Sequence, residues 1–187
     1  SVREALKRLE MVGMVHIQHG KGVVVARQDA VKDRMRFLDS SLVLSAPIFR
    51  EVLEARRIIE ESAAGLAAQR ATPEQIQRME DLLHRMEVSV DSPEDFIKLD
   101  MEFHLLIAES SHNSLLIHFL DSVRELIRRQ QQKTTPQKGA ARRGNTYHRK
   151  IYEAILQKDS EAASRHMSEH IDVIIETLAT AESQPVA

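Results

Sequence analysis

Cysteine is absent from the 187 residues. No disulfide framework and no thiolate metal site can therefore form, which fits a reducing compartment and leaves histidine and carboxylate side chains to hold any metal. Glycine and proline are scarce, at six and five residues, so few breakers interrupt the periodic segments and a largely helical chain is expected. No apolar run approaches the ~18 residues of a membrane span, and the start lacks the charged-then-apolar layout of a signal peptide. These absences lead to the expectation of a cytoplasmic chain without membrane contact. With 42% hydrophobic residues, the length suffices for one sizeable core and a smaller appendage.

Net charge is nearly balanced, at −2, but unevenly placed. Residues 1–27 carry five Lys/Arg against two Glu, or +3, and the remainder carries 21 against 26, or −5. A basic front points to nucleic-acid contact there and a different task behind it. Val2, Leu6, Leu9 and Val12 share one helical face, and Gly13 supplies a C-cap. The period then changes. Val15 and Ile17 alternate with polar neighbours, Gln18-His-Gly-Lys-Gly22 reads as a glycine turn, and Val23-Val-Val25 is β-prone. A helix feeding a two-stranded wing is a common ending of a DNA-binding unit, although the same pattern suits a small structural appendage.

Behind the hairpin, helical periodicity takes over. Val31, Met35, Leu38 and Leu42 mark a helix over 30–45, bounded by Ala46-Pro47. It would link two domains, 1–27 and 28–187, with 28–46 as the first or linker helix of the second. The next helix spans about 48–71, with Val52, Ala55, Ile59, Ala63 and Leu66 inward; Arg56 falls among them and Arg57 points away. Thr72-Pro-Glu-Gln75 is a capping box that opens a helix with Ile76, Met79, Leu83, Met86 and Val90 in one stripe, and Ser92-Pro-Glu-Asp95 opens the next in much the same way. Leu115 to Ile127 form another amphipathic helix. Residues 128–150 carry eight Lys/Arg and no acid, and Pro136, Gly139 and Gly144 mark a loop there. Two helices separated near Lys158-Asp159 finish the chain. The fold class expected is mainly all-α: an antiparallel bundle of about six to seven helices, preceded by a helix and a small β-hairpin.

Four inward polar residues break the pattern. On the helix over 93–110, Phe96, Leu99, Phe103 and Ile107 cluster on one face at about 100° per residue, and Asp100 and His104 border it at roughly 40° and 80° from Phe96. His148 lies on the apolar side defined by Ile151, Tyr152 and Ile155, and His170 sits among Ala163, Met167, Ile171, Ile174 and Leu178. An unpaired buried polar group costs ~1–3 kcal/mol. One carboxylate and three imidazoles aimed inward from three helices form a donor set for zinc or another first-row divalent ion, with nickel, manganese and iron as alternatives. The bland alternative is a set of separate core histidines, each bonded to a backbone carbonyl or a neighbour. Such a metal could also serve a hydrolase-like enzyme by activating water; no carboxylate on these faces is an evident general base, with Glu102 and Glu109 the nearest candidates.

Taken together, Val2-Arg-Glu-Ala-Leu6, Leu9-Glu10, Gly13 and His19-Gly-Lys-Gly-Val-Val-Val25 resemble the end of a GntR-type winged helix-turn-helix. By that resemblance the chain begins inside the reading element, after the family's first two helices. Glu54-Ala-Arg56 with Glu60, Asp100-x3-His104, Asn113, His148-Arg149 and Met167-x2-His170 resemble the FCD domain, the helical effector-binding domain of the FadR-type branch. The resemblance implies a metabolite-responsive bacterial transcription regulator, a homodimer on operator DNA, rather than an enzyme. It implies Asp100, His104, His148 and His170 as metal ligands and Arg56 as the group holding a small carboxylic acid effector, with Glu60 as the alternative partner of Arg56. It places Arg3 in the recognition helix and His19, Gly20, Lys21 and Gly22 in the wing against DNA.

Overall fold

Prolines and capping side chains set the helix boundaries in this structure, a computed structural model that describes residues 15–18, 22–25 and 46–183. The chain divides into two units, Ser1–Val43 and Leu44–Ala187. In the first, β1 (Val15–Gln18) pairs antiparallel with β2 (Gly22–Val25), with Val15 opposite Val25 and Gln18 opposite Gly22. The expected hairpin is therefore formed, and Gly22 opens its second strand. The expected helices over 1–12 and 30–45 lie outside the described residues, as do Arg3, His19, Gly20 and Lys21.

The second unit contains α1 (Ala46–Arg70), α2 (Pro73–Val88), α3 (Pro93–Ser110), α4 (Ser114–Ser122), α5 (Arg124–Thr134), α6 (Ala140–Leu156) and α7 (Ser160–Ser183). Thr72 caps α2 in a complete capping box with Gln75, and Pro73 at the first helical position costs no hydrogen bond. Asn113 caps α4 by accepting from the Leu115 amide. Lys158 in the left-handed region (φ 60°) ends the turn after α6, and Asp159 accepts from the Ala162 amide as α7 starts.

Three expectations need correction. Ser92 does not cap α3 through its side chain; its hydroxyl donates to Asp95 instead. The helix expected over 115–127 is two helices that meet at Val123, and the periodicity runs through the break because Leu120 and Ile127 enter the same apolar cluster. The basic stretch 128–150 is not a loop: α5 runs to Thr134 and α6 starts at Ala140, with the left-handed Gly139 (φ 70°) before it. Gly144 lies inside α6, where a Cβ would stand 3.7 Å from the His170 ring and 4.0 Å from the His148 ring. Both are ordinary van der Waals distances, so the position faces the imidazoles inside a helix and does not make a turn.

Contacts along α1 and α7 run in opposite directions: Arg50 pairs with Glu182, Arg57 with Asp172, the Glu61 carbonyl with Ser164, and the Gly65 carbonyl with Ser160. α2 and α3 are antiparallel too, through Arg78–Glu109 and Arg85–Glu102. Exposed pairs of this kind contribute only ~0–1 kcal/mol each, so apolar packing sets the alignment. Ala63, Ala64, Ala67, Met79, Leu83, Met86, Phe103, Ile151, Ile155 and Met167 form the largest cluster, between α1, α2, α3, α6 and α7. Phe49 and Leu53 of α1 meet Ile171 and Leu178 of α7 in a second. Between those two clusters, along both α1 and α7, lies a layer of buried polar side chains.

α1 and α7 approach most tightly at Gly65, where a Cβ would come within 2.5 Å of Ser164 Oγ and 3.4 Å of the Ser160 carbonyl. Gly65→Val should lower stability by ~1–3 kcal/mol through overpacking, whereas Ile58→Val on the exposed face of α1 should leave it within about 0.5 kcal/mol. Urea titrations of the two variants check this.

Candidate metal centre

α3 supplies Asp100 and His104 one turn apart, α6 supplies His148, and α7 supplies His170. All four are buried, and one ligand atom from each lies within 4.8 Å of the others. Among the described residues this is the one such group of His and acidic side chains close enough to share an ion. His148 Nε2 lies 3.2 Å from His170 Nε2 and 3.2 Å from Asp100 Oδ1, and His104 Nε2 lies 3.7 Å from Asp100 Oδ2. Two ligands ~2.1 Å from a common ion stand roughly 3.0–3.4 Å apart, so the two 3.2 Å separations fit a shared cation and His104 Nε2 stands slightly farther out. Two imidazole nitrogens that face each other at 3.2 Å need a proton or a cation between their lone pairs.

Electrostatics point the same way. Burial above all holds the His148 and His170 imidazoles well below their ordinary range, and the neighbouring imidazoles and the Arg56 guanidinium add to it, so both are neutral and able to donate a lone pair. Burial pushes the Asp100 carboxyl up, against the pull of His104 and Arg56. A cation would replace the proton that burial favours there. Phe103 packs 5.1 Å from the His148 ring and Phe96 stacks on it at 6.4 Å, which keeps water from that side.

A ring of polar partners surrounds the four. Gln131 of α5 donates to Asp100 Oδ2. Arg56, almost fully buried on α1, donates through Nε to Glu60 Oε1 at 2.6 Å and through Nη1 to Gln130 Oε1 at 3.3 Å; Gln130 in turn donates to Thr134. The partner named as the alternative to an effector carboxylate, Glu60, thus takes Arg56. Glu60 Oε2 also lies 2.5 Å from His104 Nδ1. Burial works against the Glu60 charge, but Arg56 and then His104 hold its carboxyl well below the usual carboxylate range. Burial likewise works against the Arg56 charge, and Glu60 more than restores it.

Charge bookkeeping within the layer leaves a remainder. Glu60 and Asp100 are offset by one guanidinium, so with neutral imidazoles the layer holds either one unmatched negative charge or a proton on Asp100 that a cation can replace. Polar atoms are left over as well: Gln131 Oε1, Asn145 Oδ1, His148 Nδ1 and His170 Nδ1 are buried without a hydrogen-bond partner. A divalent cation on Asp100, His104, His148 and His170 fits both the remainder and the donor set.

The other histidines of the helical unit stand apart among the described residues. His84 is exposed near Glu87, His112 and His118 are exposed, and His166 meets Glu169 at 3.0 Å one turn before His170. Glu102 and Glu109 face Arg85 and Arg78 on the surface. Sequence reasoning missed Gln130, Gln131 and the reach of Glu60 to His104. The glutamines sit in a polar run whose only signal was the helical register of α5 itself.

Residues 51–173 match the FCD domain. The Uxu operon transcriptional regulator of Escherichia coli (strain K12) is 31% identical over 191 residues, which cover 95% of this chain and 71% of that protein. The HTH-type transcriptional regulator LutR of Bacillus subtilis (strain 168) is 27% identical over 183 residues, covering 95% of this chain and 83% of that protein. Among solved structures, Streptococcus agalactiae GntR superposes with a TM-score of 0.67 at 25% identity, covering 94% of this chain and 80% of that one. E. coli McbR/YncC shares the fold, with a TM-score of 0.62 at 19% identity.

The neutral imidazoles give a pH prediction for the metal-free chain. His148 and His170 have depressed values in the fold and titrate near 6.5 once unfolded, so their contribution is present above about pH 6.5 and is lost as pH falls. Each can remove up to ~1.4 kcal/mol per pH unit, and Asp100, shifted the opposite way, offsets part of this. Urea unfolding should show stability falling from pH 7.5 to 5.5; a flat profile would show that the imidazoles protonate as readily in the fold as in the unfolded chain.

Proposed function

The chain belongs to the FCD-domain family of GntR-type transcription regulators, and on that premise we propose that its helical unit senses a small carboxylic acid at a metal ion. It regulates transcription and is not an enzyme; the hydrolase-like alternative finds no support among its relatives, which are regulators. The observation that carries the metal reading is the buried Asp100 carboxyl among three imidazole nitrogens, one ligand atom from each lying within 4.8 Å of the others. Asp100, His104, His148 and His170 are the ligands in this reading. Zinc is the first choice for such a set, and nickel, manganese or iron are the alternatives.

Bound there in an octahedral sphere, the ion would supply a Lewis-acid position for a ligand oxygen, because four protein donors leave two of six positions open. Arg56 completes the effector site in this proposal. Its Nε and, at 3.5 Å, its Nη2 donate to Glu60 and its Nη1 to Gln130, which fixes the fork while one hydrogen on each Nη stays able to meet a carboxylate. The names of the relatives accord with a metabolite effector: one regulates an Uxu operon, and others are a putative L-lactate dehydrogenase operon regulatory protein and the repressor NanR.

In this reading the front unit, residues 1–27, engages operator DNA through Arg3 and through the wing residues His19, Gly20, Lys21 and Gly22, with 28–46 leading into the helical unit of 28–187. A homodimer matches a palindromic operator. The compartment is the cytoplasm, where operators are; among the described residues no helix is long and apolar enough to cross a membrane.

Calorimetry with a panel of hydroxy, sugar and dicarboxylic acids tests the effector site. Binding should weaken roughly tenfold or more in Arg56→Lys, which keeps the charge beside Glu60 but loses the fork, and in metal-stripped protein. Arg57→Ala should change nothing, since Arg57 faces Ser168 and Asp172 at the surface. Equal loss at both arginines, or unchanged affinity without metal, would place the pocket elsewhere. For the front unit, operator affinity of the complete regulator should fall steeply with salt as counterions are released; a selection that returned no preferred sequence would contradict it.

A further inference from the structure

Of the three imidazoles in the cluster, one has an anion behind it. None of the three Nδ1 atoms makes a well-formed hydrogen bond, but His104 Nδ1 alone has a carboxylate against it, Glu60 Oε2 at 2.5 Å. That approach is off the ideal ring N–H direction, so it is an ion contact rather than a well-formed hydrogen bond. Its length is nonetheless decisive. An imidazole lone pair and a carboxylate lone pair repel strongly at 2.5 Å in a dry interior, so a neutral His104 ring carries its hydrogen on Nδ1 rather than Nε2. Nε2, the nitrogen turned toward Asp100 at 3.7 Å, is then the one with a free lone pair.

Glu60 is itself held. Its Oε1 accepts from Arg56 Nε at 2.6 Å, and Arg56 is anchored in turn by Gln130. All four side chains are buried. The chain Gln130–Arg56–Glu60–His104 therefore crosses from α5 through α1 to α3 and ends on a candidate ligand.

We propose that Glu60 is a positioning residue for the metal centre: its carboxylate fixes the tautomer and ring orientation of His104 so that Nε2 faces the ion, and Arg56 keeps that carboxylate in place. The inference rests on the metal reading above and adds to it the residue that orders one ligand. It also gives Arg56 a task before any effector arrives. A carboxylate behind a ligating imidazole raises ligand basicity, and loss of such a partner typically lowers metal affinity by about 10–100-fold.

The test uses the full 187-residue chain with zinc as the probe and cobalt(II) as a spectroscopic reporter. Long-range ¹H–¹⁵N spectra of the zinc-loaded wild type should show His104 protonated at Nδ1 and coordinated through Nε2; the opposite tautomer would overturn the proposal whatever any variant does. Chelator competition should show zinc affinity about 10–100-fold weaker in Glu60→Gln, with a shifted cobalt absorption band. Because that change leaves Arg56 buried without its anion, the double variant Arg56→Met/Glu60→Leu removes both charges and replaces them with apolar volume, an exchange that buried pairs often tolerate. It should unfold near the wild-type temperature yet bind zinc as weakly as Glu60→Gln. A folded double variant with wild-type zinc affinity and an unchanged cobalt spectrum would overturn the role of Glu60 while leaving the metal site intact. A wild-type chain that binds no zinc or cobalt would overturn both.

Discussion

Buried charge must be met by a partner, and this helical unit has put an entire layer of it at mid-height. Arg56, Glu60, Asp100, His104, Gln130, Gln131, His148 and His170 come from five helices and are all buried. Apolar clusters lie on both sides of the layer along α1 and α7. Each polar group finds its partner on a different helix, so rotating or sliding any one helix would orphan at least one of them. Breaking such a buried pair costs ~3–5 kcal/mol, a large part of the ~5–15 kcal/mol that holds a typical domain together. The layer thus fixes helix register far more strictly than leucine packing alone, which tolerates repacking.

A layer of this kind is a poor way to gain stability, because well-packed apolar side chains of similar volume often do as well or better. Its presence is better explained by what it can bind. Two carboxylates against one guanidinium leave a negative charge or a proton that a cation can replace, three imidazoles point nitrogens inward, and acceptor atoms of Gln131 and Asn145 remain unmatched. Metal and effector would then complete the layer, and a regulator can read that completion as a change in how firmly its helices are held together.

Much of this was legible in the sequence, for identifiable reasons. Asp100 and His104 stand one helical turn apart, and His148 and His170 each interrupt an apolar stripe, so single-helix wheels exposed all four before any contact was known. Arg56 was visible in the same way, and Glu60 as its neighbour one turn on. What a wheel cannot show is contact between helices. The reach of Glu60 to His104 spans 44 positions of sequence and depends on how α1 crosses α3. Gln130 and Gln131 lay in a run of basic and polar residues that read as a solvated loop, although α5 turns both of them inward. Gly144 has the composition of a breaker, yet it lies inside α6 and faces two imidazoles. The hairpin of β1 and β2 followed directly from alternation around a glycine turn.

The most direct test of the central claim is X-ray absorption spectroscopy at the metal edge on protein purified without chelators or affinity metals. The account predicts about one first-row metal per chain, with multiple-scattering features of three imidazoles and nitrogen or oxygen neighbours at ~2.0–2.2 Å. Stoichiometric loss of the signal in His170→Ala, with His112→Ala unchanged, would assign it to this centre. A metal with fewer imidazoles, or protein that holds no metal and keeps its full stability, would contradict the account.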